Sequence, residues 1–437
     1  MKDVLILGAG MMVGPVVEFL GRDESIAIHV AALQMHPTTS EIVDAVRNAD
    51  FHAWNADDNT TMQKMIQEAD LVISLMPANF HAYVARLCIT EGKSMVTASY
   101  VSREMRALDE SAKQADVLLL NECGVDPGID HMSAMKVIDS AHRAGKKIRS
   151  FQSFTGGLPA PDANNNPWGY KVSWSQRSVV TAATNGAHYL QDGRDIVIPP
   201  EKLFTDVRQL EFDNLGTLET YPNRDSISYI DLYGLHTAKT MFRGTLRYPG
   251  WCTLWDAIVR LGMLENKKPI ADTYTNYMLG LVEGQGDVRQ AVATFLGMSV
   301  NDPVIEKLAY IGFFDDRPIQ GQPRDRIQLL ANLIAKKLVF RAGERDLLVM
   351  RHIFDIEDDT QAYRLQSTMV QYGDPEGFSA MAKTVGLPVA IAADLVLKNR
   401  IPLTGVQIPT MPEIYEQVLP VLANEGVLFI EKTTILR

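Results

Sequence analysis

DVLILGAGMMVG, Asp3 to Gly14, joins an apolar strand to a helix through two glycines, and its reading decides the fold. A run that is apolar throughout belongs in a parallel sheet covered by helices on both faces. Gly8-Ala9-Gly10 lets the chain turn tightly and bring backbone N–H groups against a pyrophosphate at the start of the next helix, Met11 to Leu20. The full dinucleotide fingerprint asks for a third glycine at position 13, where Val13 stands, with Gly14 one residue late. Its place in the first turn of a long strand–helix series restores much of the weight lost by that departure.

Working outward, the alternation continues through IAIHVAAL and Glu41–Asn48, LVISLMP after Met62–Ala69, MVTAS after Tyr83–Glu91, and VLLLN after Arg103–Ala115. The pattern predicts a doubly wound α/β fold with a parallel sheet. Ligands in such a sheet lie beyond the carboxyl ends of the strands. This singles out Leu75, Met76 and Pro77, then Thr97, Ser99 and Tyr100, and above all NECGVDPGIDH, Asn121 to His131, which follows Val117–Leu120. With Gly8, Gly10, Met11, Met12 and Val13 of the first turn, Gln34 after the second strand, and Val125 and Asp126 of the last segment, these are the expected cofactor contacts.

An acid some 20 residues beyond the glycine turn would hold the ribose of NAD, and a cation the extra phosphate of NADP. VAALQMHPTTS offers neither: Gln34, Thr38, Thr39 and Ser40 are neutral, and His36 is the one candidate phosphate contact. This stretch therefore leaves NADP or NAD open.

At 437 residues the chain should form two or three domains. With 46% hydrophobic and 22% charged residues it is globular, and a net charge of -11 without any Lys/Arg block excludes a sequence-independent nucleic-acid binder. Cys88, Cys123 and Cys252 are scattered, which implies a reducing compartment and no disulfide framework, and no metal-type cysteine spacing exists, so no metal is expected. The first strand leaves no room for a cleaved signal, and apolar runs read as too short for a bilayer, so no membrane association and a cytoplasmic location are expected.

After about residue 148 the pattern changes. IRSFQSFTGG is strand-like, and a loop rich in Pro, Asn and Trp runs to Trp174. Helical periodicity at Leu254–Met263, Asp287–Leu296, Val304–Ile311 and Asp325–Lys336 predicts a helical insertion, and RDLLVMRHIFDIE with AYRLQSTMVQY, joined at Asp358-Asp359, predicts an antiparallel hairpin. The tail predicts helices at Ser379–Asn399 and Pro412–Leu422 and a strand at VLFIE.

Over nearly its whole length the chain resembles the glutamate-forming saccharopine dehydrogenases, also called saccharopine reductases. The resemblance is carried by LVISLMPANFHA, VTASYVS, NECGVDPGIDHMSAMKVID, GGLPAPDANNNPWGYKVSWS, YPNRDS, FRGTLRYPGW, GERDLLVM and FSAMAKTVG. It implies NAD(P)-dependent oxidation of the CH–NH bond of saccharopine to L-glutamate and 2-aminoadipate 6-semialdehyde, and the reverse condensation, within lysine metabolism. It further implies a homodimer and a Rossmann-like domain, residues 1–128 plus 378–437, completed by the C-terminal tail. A second α/β (α+β) substrate and dimerisation domain then spans 129–377 and carries the helical insertion at 253–340.

A ligand with three carboxylates and a secondary amine calls for forked cations and an acceptor. By resemblance the substrate contacts are Ser99, Tyr100, Asp126, Lys171, Trp174, Arg224, Thr245, Leu246 and Arg247, with the two arginines expected to converge on the ligand. Asp126 and His131 are the candidate catalytic groups; Asp126 is read as touching the substrate amine, Asp130 as capping the next helix. Where the family often carries a cysteine before GGLPAP, Thr155 stands here, which puts any thiol role in doubt. Two alternatives stay open: a related imine reductase such as carboxynorspermidine dehydrogenase, which would need acids where these arginines stand, or a non-catalytic nucleotide-binding interaction protein.

Overall fold

A computed structural model of the chain describes residues 1–269 and 271–436 and divides into two compact units, Met1–Lys146 with Glu376–Ile430, and Lys147–Pro375 with Glu431–Arg437. The first unit is built on β1 (Lys2–Leu7), β2 (Ile26–Ala32), β3 (Ala49–Ala53), β4 (Leu71–Ser74), β5 (Ser94–Val96) and β6 (Leu118–Leu120). They lie in the order β3-β2-β1-β4-β5-β6, with the tail strand Gly405–Gln407 beyond β6, and every pairing is parallel. Val4 to Leu7 and Leu71 to Ser74 are buried on both faces, which is why their sequences are apolar throughout.

Two strands of this unit escaped the sequence pattern. ADFHA is the polar edge strand β3, exposed at Asp50, His52 and Ala53, so it carries no apolar run to recognise. Gly405–Gln407 is too short to announce itself and gains its place by pairing with β6. The second helix starts at Pro37, not Glu41, because the proline sits at its first position. The helix Ala380–Leu397 has a mean hydropathy of 1.6, long and apolar enough to cross a membrane, contrary to the expectation that no such run exists. It is mostly buried and packs on the helix Val13–Leu20: Phe378, just before it, fills the space beside Gly14, and Gly386 lies against the Met12 carbonyl.

The second unit contains β7 (Lys147–Pro159), β8 (Ala187–Gln191), β9 (Arg194–Ile198), β10 (Arg208–Phe212), β11 (Gly216–Pro222), β12 (Arg224–Asp225), β13 (Thr240–Arg247), β14 (Asp346–Glu357) and β15 (Ala362–Tyr372). The main path of this ten-stranded sheet runs β10-β11-β13-β7-β14-β15, and the predicted hairpin is the antiparallel pair β14–β15. Five helices, Trp251–Arg260, Tyr274–Leu281, Val288–Leu296, Pro303–Ile311 and Arg326–Lys337, share one apolar core with Trp168 and Tyr170. Four begin at side-chain caps, Thr273, Asp287, Asp302 and Asp325. The helix Tyr274–Leu281 was not apparent from the sequence.

The unit boundaries differ from those expected. The helix Ile129–Arg143 belongs with the first unit, where it packs on the helix Pro412–Asn424 and Asp139 accepts a 2.6 Å hydrogen bond from Tyr415 Oη. The last strand, Phe429–Ile435, adds to the second sheet beside β15 and so does not complete the nucleotide domain.

At the carboxyl ends of β4 and β5 a buried histidine ties two loops together. Ser74 Oγ lies 2.9 Å from His81 Nδ1, and His81 Nε2 lies 2.8 Å from Ser99 Oγ. Burial pushes the imidazole pKa down to about 4, so His81 is neutral at pH 7 and donates from one nitrogen while accepting at the other. A histidine whose folded pKa lies below its unfolded value contributes stability that is full above the unfolded pKa and is lost as pH falls from about 6.5 toward 4, by up to about 3 kcal/mol. Urea unfolding midpoints measured across this range should fall less steeply for His81→Gln than for the wild type. Parallel profiles would show that His81 does not resist protonation.

Candidate active site

Gly8 and Gly10 have different reasons to lack a side chain. Gly8 adopts φ +106°, and a Cβ there would meet the Leu75 carbonyl oxygen at 2.8 Å. It is required by the approach of β1 to the segment after β4. A Cβ on Gly10 would have nothing within 4 Å, so its bareness serves no internal packing. It leaves open a cradle at the N-terminus of the helix Val13–Leu20, whose capping residue Met12 makes no side-chain cap and whose first turn carries no acid. These are features of a pyrophosphate seat. Thr39 Oγ1 donates to the Gly10 carbonyl at 2.9 Å, anchoring the loop after β2 to the turn. In that loop Gln34 is exposed, and His36 Nδ1 is buried without a hydrogen-bond partner. No carboxylate lies between Leu33 and Ser40 to repel a 2′-phosphate, so the residues present fit a phosphorylated dinucleotide.

Leu75, Met76 and Pro77 after β4, Thr97, Ser99 and Tyr100 after β5, and Val125 and Asp126 after β6 follow adjacent strands of the same sheet edge. Met11 and Met12 are half-buried beside the glycines. Val13 and Thr97 are fully buried, so they act as supports: Val13 N–H donates to the Gly10 carbonyl at 3.0 Å, and Thr97 Oγ1 accepts from the Ser99 N–H at 3.3 Å.

Asp126 is half-buried, and its Oδ1 accepts a 3.1 Å hydrogen bond from Tyr100 Oη. Asp130 is turned inward, where its Oδ1 accepts from the Gly128 and His131 N–H groups at 2.6 and 2.8 Å. His131, a candidate catalytic group from the sequence, is completely buried, with Nε2 2.7 Å from Glu122 Oε2. Glu122 Oε1 accepts from the Val101 N–H at 2.9 Å. Through Glu122, His131 ties the loop after β6 to the loop after β5.

In the second unit Arg247 ends β13, buried, with its guanidinium 5.2 Å from the Tyr170 ring centre and 5.0 Å from that of Trp251. Its Nη1 donates to the Leu246 carbonyl at 2.7 Å, while Nε is buried and has no hydrogen-bond partner. The acid facing it across the strand pair, Glu219, is taken up by the Gly250 and Cys252 N–H groups at 3.0 and 2.6 Å, and no ion pair among the described residues involves Arg247. Thr245 pairs in register with Thr155, whose hydroxyl is also buried without a partner. Leu246 is fully buried in the apolar core, so only its backbone can face a ligand.

Arg224 is exposed on β12 and held at φ +53° by the Asn223 N–H donating to the Arg243 carbonyl at 2.8 Å and the Ser226 N–H to the His188 carbonyl at 2.7 Å. Glu219 faces Arg247, and Arg224 stands two residues past the end of β11, on β12, which pairs with β8. Lys171 is buried rather than exposed, and its Nζ donates to Glu344. Burial alone would raise the Glu344 pKa, but the Arg341 backbone, Lys171 and Asn165 hold it down at about 2. Trp174 is half-buried against the helical core. His81, Glu122 and Glu344 were missed because their partners lie on other elements, a relation that sequence spacing does not carry.

Comparison with known proteins accords with this arrangement. Residues 4–120 match the saccharopine dehydrogenase NADP binding domain, and residues 124–427 the saccharopine dehydrogenase C-terminal domain. The chain is 34% identical to saccharopine dehydrogenase [NADP(+), L-glutamate-forming] of Saccharomyces cerevisiae over 99% of both chains, and 35% identical to the mitochondrial alpha-aminoadipic semialdehyde synthase of Bos taurus over 99% of this chain and 48% of that one. The apo structure of the Saccharomyces cerevisiae L-Glu-forming saccharopine dehydrogenase superposes with a TM-score of 0.90 over 99% of this chain and 100% of that chain, at 33% identity. A homospermidine synthase from Legionella pneumophila, 10% identical with a TM-score of 0.57 over 99% of this chain and 91% of that one, shares the fold alone. On its Rossmann-like sheet, its second mixed sheet and these matches, the chain belongs to the saccharopine dehydrogenase family.

Proposed function

We propose that this chain interconverts saccharopine with L-glutamate and 2-aminoadipate 6-semialdehyde, using NADP(H). The observation that carries the substrate class is Arg247, a buried guanidinium with an unpaired Nε and no carboxylate of its own. A buried cation left without a counter-ion is costly, and a ligand carboxylate removes that cost. A polyamine-derived imine would bring a second cation to the same place, which disfavours a carboxynorspermidine-type reaction.

Gly8, Gly10 and the first turn of Val13–Leu20 hold the pyrophosphate, and Leu75 to Pro77 with Ser99 line the nicotinamide side. The chemistry supplied by the bound dinucleotide is hydride transfer at the carbon bearing the secondary amine. Asp126, oriented by Tyr100, accepts from that amine; the neutral His81 fixes the Ser99 hydroxyl. Water adds to the imine carbon, and the carbon–nitrogen bond then breaks to release glutamate and the aldehyde, so one water is consumed and one proton released for each NADP+ reduced. Arg247 and Arg224 grip separate carboxylates. Lys171, neutralised by Glu344, supports the loop before Trp174. The same reading extends to a cytoplasmic homodimer, supported by three buried, unpaired cysteines and by Ile430 and Ile435, exposed on the last strand.

The purified protein should reduce NADP+ when given saccharopine and oxidise NADPH when given glutamate with the semialdehyde, followed by nicotinamide absorbance. Inertness with both, alongside turnover of a polyamine imine, would overturn the assignment. Arg247→Ala should raise the Michaelis constant for saccharopine roughly 30- to 150-fold, the loss of a charge-assisted bond of about 2–3 kcal/mol, with NADPH affinity unchanged. Equal losses for both ligands would remove Arg247 from the substrate site. Gly10→Val should fold normally and bind NADPH poorly, whereas Gly8→Ala should lose roughly 1–3 kcal/mol of stability from backbone strain and its clash with Leu75. Calorimetric titration and denaturation together separate these outcomes.

A further inference from the structure

Away from the nucleotide turn, tertiary structure gathers a ligand set that cysteine spacing does not reveal. β2 and β3 pair in parallel with His29 opposite Asp50 and Ala31 opposite His52, so two imidazoles and a carboxylate line one sheet face at its edge. Asp50 Oδ1 lies 2.9 Å from His29 Nδ1 and 3.0 Å from His52 Nε2, and the three ligand atoms lie within 4.8 Å of one another. Bonds of about 2.1 Å in a tetrahedron place neighbouring donor atoms roughly 3.4 Å apart, so around an ion the Asp50 oxygen parts from each imidazole by some tenths of an ångström, and the two imidazole nitrogens, within 4.8 Å of each other, settle to the same spacing.

A second observation sets this cluster apart from an ordinary surface ion pair. The remaining ring nitrogen of His29, Nε2, lies 3.2 Å from Asp3 Oδ1 on β1, the next strand. Both ring nitrogens thus face carboxylates; an ion entering between His29 and Asp50 displaces the proton they share, while Asp3 keeps the Nε2–H and fixes the ring orientation, the outer-shell arrangement found behind metal-bound histidines. All the ligands stand on paired strands, which hold them in place before the ion arrives. His29 is partly exposed and Asp50 and His52 more so, leaving the fourth position to water.

We propose that His29 Nδ1, His52 Nε2 and Asp50 Oδ1 bind a zinc-class divalent transition-metal ion, with Asp3 as the orienting carboxylate. Mixed imidazole and carboxylate donors suit zinc, cobalt, nickel or copper and not magnesium or calcium. The ion ties the polar edge strand β3 to β2. The ligands stand on β2 and β3 and Gln34 in the loop after β2, so the two sites share no residue and this one stands whether or not the proposed reaction is correct.

The test uses the full chain without a polyhistidine tag, titrated with Zn2+ by calorimetry and with Co2+ by visible absorption at pH 7.5. One saturable equivalent, a tetrahedral Co2+ spectrum and a raised melting temperature with Zn2+ are expected. His52→Ala should weaken binding at least 10-fold, and Asp3→Asn 10- to 100-fold with stoichiometry kept. All these side chains are at least partly exposed, so the variants should fold, which NADPH binding confirms. No saturable binding to the wild type, or undiminished binding to a His29→Ala/His52→Ala double variant, overturns the proposal.

Discussion

The contact on which the nucleotide unit depends is the one between Gly8 and the Leu75 carbonyl. β1 and β4 are adjacent parallel strands whose following segments diverge at the topological switch of the sheet, and the crevice between them exists because the chain after β1 crosses close to the end of β4. Any side chain at Gly8 would push the two apart. The hydrogen bonds on either side, Gly8 N–H to the Ala31 carbonyl at 2.9 Å and Leu75 N–H to the Leu7 carbonyl at 2.8 Å, keep the turn in the plane of the sheet. The freedom of Gly10, the anchoring of Thr39 and the exposure of the helix N-terminus all follow from that fixed crossing.

Much of this was legible in the residues. The apolar strands Val4–Leu7 and Leu71–Ser74 announced a buried parallel sheet because each is covered on both faces, and the β14–β15 hairpin announced itself through alternation. β3 did not, since an edge strand facing water carries polar residues that read as loop. The last strand was legible as a strand, but its pattern says nothing about its neighbour, and the fold places it beside β15. His131 shows the corresponding limit at the site: the sequence marks a histidine in an active segment, and only the fold shows it completely buried against Glu122.

The second unit places its charge economically. Burying a guanidinium requires relief from somewhere, and the rings of Tyr170 and Trp251 supply part of it through their π faces. Glu219 stands opposite, but the start of the helix Trp251–Arg260 claims its oxygens. A dominant local ion pair is thereby avoided and the positive charge stays available. Lys171 is the contrasting case, a buried cation matched by Glu344.

The crossing of the final strand into the second sheet has a bearing on synthesis. The chain passes between the units after Lys146, after Pro375 and after Ile430, so neither unit is a contiguous piece of polypeptide. Until Glu431–Ile435 has left the ribosome, β15 presents an open row of backbone donors and acceptors to any other nascent strand. That exposure to mispairing closes only when Glu431–Ile435 has paired with β15.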